Sequence, residues 1–429
     1  MNLKIQKSAL RKKVKMKKKI LLISDHILSP SGVGIQSKYL VDGLIATGKY
    51  KFIQIGGAKD HKDYNPIKLN DDLVIIPTKG FGNKDMIRSL LVTEKPDAII
   101  LFTDPRFFEY IFDMEDEIHQ VCPILYWHVW DNRPYPEFND HVYDSVDSIN
   151  CISYLTYMLM KSKNRDKSRY IPHSLPSEIF FELDDLSKKY HKDKVLGKEK
   201  SKYFTGLWIN RNARRKRSAD VLKSWQMFLF ELEHEYGHRK ANLIMHTDPL
   251  DIAGPNLFEI AKMLKIEDTI SFSVDTISNE EVNILHNISD FCMNISLAEG
   301  FGLSTLESMQ VGNPIIAVKT GGQTNQVINR FDNSINGFAL TPDVTTISGS
   351  QDTHYINEDF VKTENVSKAI IEMYKLGKEK RKVIGLKAKE YVNKEFNHEK
   401  MINKWDSSLE ETIKNWKKSY QRIRILEVM

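Results

Sequence analysis

Cysteine is scarce in this 429-residue chain: Cys122, Cys151 and Cys292 are widely spaced, odd in number and set in apolar runs. That excludes a disulfide framework and a cysteine-based metal site, and it is what a reducing, cytoplasmic setting produces. Long apolar runs are also missing. No segment approaches the ~20 residues needed to cross a bilayer, and ILLIS is broken at once by Asp25 and His26, so neither a transmembrane helix nor a signal peptide is expected. There is no G-x-x-x-x-G-K-[ST] phosphate loop and no D-x-D pair for a divalent metal, and the G-x-G turn at Gly32 and Gly34 has Ser37 where a dinucleotide fingerprint needs glycine.

Acid is absent from the first 19 residues, which hold nine Lys or Arg. Removing that nine from the chain's net charge of +5 leaves the other 410 residues at −4. The basic character therefore belongs to a leader, residues 1–18, and not to the body, which argues against a nucleic-acid partner. The leader suits either peripheral contact with an anionic membrane through residues 1–19 or a solvated tail. Met16, ahead of KKKILLIS, is an alternative start.

What is present is alternation. From Lys19, short β-rich runs (KILLISD, KFIQIGG, DLVIIPT, AIILFTD, PILYWHVW) interleave with amphipathic stretches such as IQSKYLVDGLIA. A second round (YFTGLWIN, ANLIMHT, TISFSV, FCMNIS, PIIAVKT) follows the charged stretch 184–202, read as a solvated linker. Such alternation builds parallel sheets with crossover helices. The length exceeds one comfortable core. The α/β chain is thus expected to form two Rossmann-like, doubly wound domains, 19–190 and 191–395, facing across a cleft. Residues 396–429 form a terminal helix, and 341–360, which lack a period, read as a surface insertion. Ligands of such sheets bind beyond the carboxyl ends of the strands, so the cleft between the halves is the expected site.

Four segments carry chemistry. In ISDHILSPSGVGIQS, Gly32 and Gly34 sit between a strand and a helix, where backbone N–H groups meet an anion or simply make a βα turn. LWINRNARRKRSAD offers Arg211, Arg214, Arg215, Lys216 and Arg217 at a strand end. Guanidinium and ammonium groups there suit a diphosphate, whereas a merely solvated run would oppose the helix dipole. LYWHVWDNRPYPEF ends a strand on His128 among Tyr126, Trp127, Trp130, Tyr135 and Phe138, either a sugar-facing cluster or core packing. Asp131 and Asn132 read as caps of the following turn. Finally, SLAEGFGLSTLESMQVGNPIIAVKTGG places Glu299 just past a strand and Glu307 on the helix that follows. A carboxylate accepts two hydrogen bonds from a vicinal diol, and the amides of Phe301, Gly302 and Leu303 stand at that helix start, where an anion binds.

On EGFGLSTLE, GNPIIAVKTGG and the glycine-rich turn, the chain resembles the family-4 retaining glycosyltransferases of the GT-B fold (glycosyl transferases group 1), from about Lys19 to the last helix. The resemblance implies that Glu299 holds the donor sugar, Glu307 the nucleotide ribose, and Arg211 with Lys216 the diphosphate, Asn210 standing six residues before Lys216. It places His128 as the family's histidine at a strand end and has the last helix brace the N-terminal domain. The GGQTNQV loop departs from the family pattern, with Asn325 where an acid is usual. It further implies a nucleotide-diphosphate sugar as co-substrate with no cofactor or metal, retention at the anomeric carbon, and a glycan, lipid-linked or protein acceptor. A nucleotide-sugar epimerase of the same fold, or a non-catalytic nucleotide- or sugar-binding subunit docked through its leader, are the competing readings.

Overall fold

A computed structural model describes residues 16–59, 61 and 63–419; most of the basic leader lies outside them. Two sheets carry the chain. The first contains β1 (Lys18–Asp25), β2 (Tyr50–Gly57), β3 (Ile67–Asn70), β4 (Leu73–Pro77), β5 (Ala98–Phe102), β6 (Ile124–His128), β7 (Ser148–Cys151) and β8 (Ser168–Tyr170) in the order 3-4-2-1-5-6-7-8. The second contains β9 (Phe204–Ile209), β10 (Ala241–His246), β11 (Ile270–Ser273), β12 (Phe291–Asn294), β13 (Ile315–Val318) and β14 (Gly337–Leu340) in the order 11-10-9-12-13-14. All pairings are parallel except the edge pair β3–β4. Strands such as ILYWH are buried at every position because helices cover both faces, hence their unbroken apolar runs.

Helix α1 (Gly32–Ala46) follows β1, and Ser31 caps it by accepting from Gly34 N–H. The stretch expected to be a solvated linker is instead largely helical: α2 (Asp185–Lys200) starts on an Asp184 cap, which accepts from Leu186 and Ser187 N–H, and kinks at Gly197. Its charges form salt bridges with the body, as Lys188 does with Glu182 at 3.1 Å. Downstream come α3 (Ser218–Tyr236), α4 (Asn279–Asn287), α5 (Leu303–Gln310), α6 (Gly377–Glu395) and α7 (His398–Ser419).

α7 packs on the first sheet, as the fold reading requires. Trp405 meets Trp127 edge-on with ring centroids 5.1 Å apart, and Tyr50 donates to Asp406 at 2.6 Å. One core cluster accordingly runs from Leu22 and Trp127 through Phe301 and Leu306 to Phe396 and Trp405, joining both halves.

The surface insertion is ordered as a hairpin, β15 (Val344–Ser348) with β16 (Ile356–Phe360). It reaches the first half: Asn357 N–H donates to Arg133 C=O at 2.7 Å, and the His354 ring lies 4.6 Å from Phe138. Its period was hidden because Glu358 and Asp359 face polar partners where a core strand would have apolar ones. Among the described residues no helix is long and apolar enough to cross a membrane.

Candidate functional site

A cavity of about 830 Å³ lies between the two halves at the carboxyl ends of the strands. The second half supplies its charged wall. β12 ends at Asn294, and the chain turns so that Glu299 faces inward beside Lys216 and Arg215. Lys216 Nζ donates to Glu299 Oε2, which also accepts from Ser296 Oγ at 3.1 Å and Asn294 Nδ2 at 3.2 Å; Arg215 Nη1 is 3.9 Å away. Burial on its own would raise the carboxyl, but the Lys216 and Arg215 charges and the Lys216 hydrogen bond hold it down at about 2, so it is ionised at neutral pH. Burial and the Arg215 charge lower Lys216, against the pull of Glu299.

Gly302, at φ 89°, caps α5 in the left-handed region, where a side chain would strain the turn and its Cβ would sit 2.8 Å from Thr305 Oγ1. No side chain caps α5, so its first-turn amides remain available to an anion. Gly302 and Leu303 line the cavity. Phe301 does so too, but its ring packs on His173 at 5.0 Å and Phe396 at 5.5 Å, leaving its backbone as the part to offer a ligand. Glu307, one turn into α5, is buried against His286 of α4, Nε2 to Oε2 being 3.0 Å. Glu299 and Glu307 thus lie in one cavity with different partners.

The first half supplies a mostly neutral wall. Ser31 Oγ donates to Asp25 at 2.6 Å and Gly32 faces Leu303 across the cleft, where an added Cβ would lie 3.1 Å from the Leu303 side chain. Gly34 does not line the cavity. A Cβ there would meet His26 C=O at 2.7 Å, so this glycine serves the fit of the turn and is corrected from ligand contact to packing.

His128 also stands away from the cavity. β6 alternates: Trp127 faces the α7 side, while Tyr126 and His128 face the opposite core, where His128 Nε2 meets Tyr143 Oη at 2.9 Å. Burial pushes the ring down to about 3, a neutral core imidazole. The histidine that does line the cleft is His173, beyond β8, also pushed down to about 3 by burial. Its signal in the sequence was only IPHS after a three-residue strand.

The basic run divides in two. Arg214–Lys216 make a 3-10 turn and Arg217, at φ 57°, precedes α3, so these cations stay out of its first helical turn and the conflict with the dipole disappears. Arg211 lines the cavity mouth, but its guanidinium is held at 2.6 Å by Asp251; Arg215 is the arginine beside Lys216.

Asp131 and Asn132 reach across the cleft instead of capping their own turn. Asp131 accepts from Gly300 N–H at 3.2 Å and lies 3.5 Å from Arg215, while Asn132 donates to Asp359 of the hairpin at 2.7 Å and to Thr320 at 3.1 Å. In the GGQTNQV loop, Gln323 donates to Val318 C=O at 3.0 Å and Gln326 to Phe301 C=O at 2.6 Å, buttressing the α5 turn from behind. No group of three or more His, Cys, Asp or Glu among the described residues is arranged to hold a metal ion.

Residues 249–352 match the family model of glycosyl transferases group 1, which bears out the resemblance carried by EGFGLSTLE. No curated protein matches the chain. Among solved structures, sucrose-phosphate synthase from Thermosynechococcus elongatus is similar with a TM-score of 0.73 at 14% identity, over 93% of this chain and 100% of that one. HepE from Anabaena, in complex with UDP and glucose, gives 0.68 at 14% identity over 92% and 100%. A glycosyltransferase from Rickettsia africae gives 0.67 at 18% identity over 93% and 99%. At these identities the likeness establishes the fold, two Rossmann-like domains of the GT-B kind.

Proposed function

We propose that the chain is a family-4 retaining glycosyltransferase that moves a sugar from a nucleotide diphosphate to a hydroxyl of a glycan, lipid-linked or protein acceptor, without a metal. The observation that carries the reading is Glu299, ionised and bound by Lys216, beside the uncapped start of α5 and within the same cavity as Glu307.

In this reading Glu307 takes the ribose hydroxyls and Glu299 the donor sugar's. Lys216, Arg215 and the α5 amides receive the diphosphate, stabilising the charge that grows on it as it leaves. The anomeric C–O bond to the diphosphate breaks, the acceptor oxygen bonds to the anomeric carbon on the same face, and the acceptor proton passes to the departing phosphate oxygen. Glu299 is a positioning group here and forms no covalent intermediate. Arg211, tied to Asp251, is assigned to the cavity mouth, a role secondary to that of Arg215.

Cys122, Cys151 and Cys292 are buried and unpaired, which supports a reducing, cytoplasmic setting. The nine basic residues of the segment 1–19 support peripheral contact with an anionic membrane.

A thermal-shift screen against UDP, GDP, ADP and their sugars tests the donor half, since a ligand of the folded state raises its stability with affinity. At least one nucleotide is expected to raise Tm, and transfer is expected to persist in EDTA. Absence of any shift, or a metal-reversible loss of transfer, overturns the corresponding part.

A further inference from the structure

A second cavity of about 810 Å³ lies behind the cleft, where the chain passes between the halves. Its walls come from α1, from the 175–179 passage into the second half, from the start of α4 and the end of α5, and from the α6–α7 junction. The two passages run side by side there, Leu175 bridging Asn397. A ligand in this cavity touches both halves at once.

The lining chemistry is selective. Among the described residues Glu178, Glu280 and Glu399 form no salt bridge, and the one lysine lining the cavity, Lys38, is already paired with Asp42. Phosphates and nucleotides are therefore repelled, which separates this cavity from the cationic wall of the cleft. Gln310, at the end of α5, is 7% exposed and lines the cavity, yet its side-chain amide has no hydrogen-bond partner among the described residues. That amide is not sealed from solvent, so it is open to a ligand that enters the cavity. Carboxylates that accept, beside an amide that both donates and accepts, match adjacent hydroxyl groups on a rigid ring.

We propose that this cavity binds a neutral saccharide, distinct from the donor, at the hinge between the halves. Gln310 stands three residues beyond Glu307 on α5. Asn279, which lines both cavities, begins α4, and that helix carries His286 to Glu307. Tyr39 links the walls directly, accepting from Asn279 at 3.0 Å. Occupancy of the hinge cavity thus bears on the carboxylate of the nucleotide site. That coupling rests on the reading of Glu307 given above; the saccharide site itself does not.

Calorimetry on the full chain, with maltotriose and chitotriose as neutral probes and spermidine as a cationic one, tests it without any transfer reaction. At least one trisaccharide is expected to bind, and to bind still when UDP, GDP and ADP are present. Ser177→Trp, at an exposed lining position, is expected to weaken it at least about tenfold by filling the cavity, and Gln310→Met about fivefold by removing the amide. Both variants are expected to keep the parent's Tm. Binding of neither trisaccharide, binding of spermidine alone, or affinity unchanged in Ser177→Trp overturns the proposal. Maltoheptaose binding at least about tenfold more tightly than maltotriose would assign the cavity to the tail of a long acceptor, and equal affinities to a free effector.

Discussion

The two walls of the cleft are built from the same kind of βα unit, yet they offer a ligand different things. The second half presents Arg215, Lys216, Glu299 and Glu307, all partly or fully withdrawn from water, together with an α5 start that no side chain caps. The first half presents the Ser31–Gly32 turn, the His173 ring and a single carboxylate, Asp131, that is already committed to Gly300 and Arg215. Affinity for a charged donor is then expected to come chiefly from the second half, because Lys38, the cation the first half places on the cavity, is paired with Asp42. The first half fixes the distance between the walls and decides what else enters. Since charged groups in a water-poor site interact more strongly than at the surface, variants on the second wall are expected to dominate.

Glu299→Gln is the most severe way to break that asymmetry. It leaves Lys216 in a buried site without its counter-charge and Arg215 with Asp131 alone, and removing one partner of a buried pair costs about 3–5 kcal/mol. Transfer is expected to fall about 10²–10³-fold in a steady-state assay, as when one preorganised charge-stabilising contact is lost. Linkage gives an independent check. The Glu299 carboxyl is lowered from 4.5 to about 2, so its stabilisation is complete above pH 4.5 and is lost as pH falls through about 2. Acid unfolding of the variant is expected to lack that component.

Lys216→Ala against Arg211→Ala sharpens the comparison within the second wall. Lys216 is buried on Glu299, whereas Arg211 is largely exposed and held by Asp251. Nucleotide-diphosphate affinity is expected to drop about 10–100-fold for Lys216→Ala, the range for a charge-assisted contact of roughly 1.5–3 kcal/mol. Less than about threefold is expected for Arg211→Ala, in keeping with an exposed pair. Calorimetry that found the two equal would return Arg211 to the diphosphate.

Asp131→Asn tests the first wall. The side chain keeps its size but loses the charge facing Arg215, while the Gly300 contact remains possible. Transfer turnover is expected to fall about tenfold with nucleotide affinity changed less than about twofold, the signature of a group that sets geometry across the cleft.

How much of this was legible in the sequence follows from the same asymmetry. The second wall could be read because its groups are close in sequence: Glu299, Gly302 and Glu307 fall within nine residues, and the glycine turn and helix start announce themselves. The first wall was legible only at Gly32, in its glycine-rich turn, because Asp131 and His173 come from two other loops and meet it only through the order of the strands. Arg215 was in view among five basic residues, but the 3-10 turn that aims it inward leaves no periodic signal. The hairpin at 344–360 looked structureless because its partners, Arg133, Phe138 and Arg214, belong to distant segments.

The smallest functional effect is expected at His128, the one strand-end residue that chemistry pointed to and sheet parity turned away. Its imidazole is fully buried against Tyr143 and lowered from 6.5 to about 3 by burial. Between those pH values the unfolded chain binds a proton that the folded chain refuses, so stability declines as pH falls from 6.5 and flattens near 3. His128→Asn removes that titration and leaves Tyr143 short of a partner, a loss of about 1–3 kcal/mol at neutral pH. The variant is therefore expected to melt lower at pH 7.5, to lose less further stability than the parent on going to pH 4, and to transfer sugar at the parent rate per folded molecule. A loss of turnover beyond about tenfold with Tm preserved, in an activity assay normalised to folded protein, would return His128 to the reaction and make β6 contribute a group to the cleft.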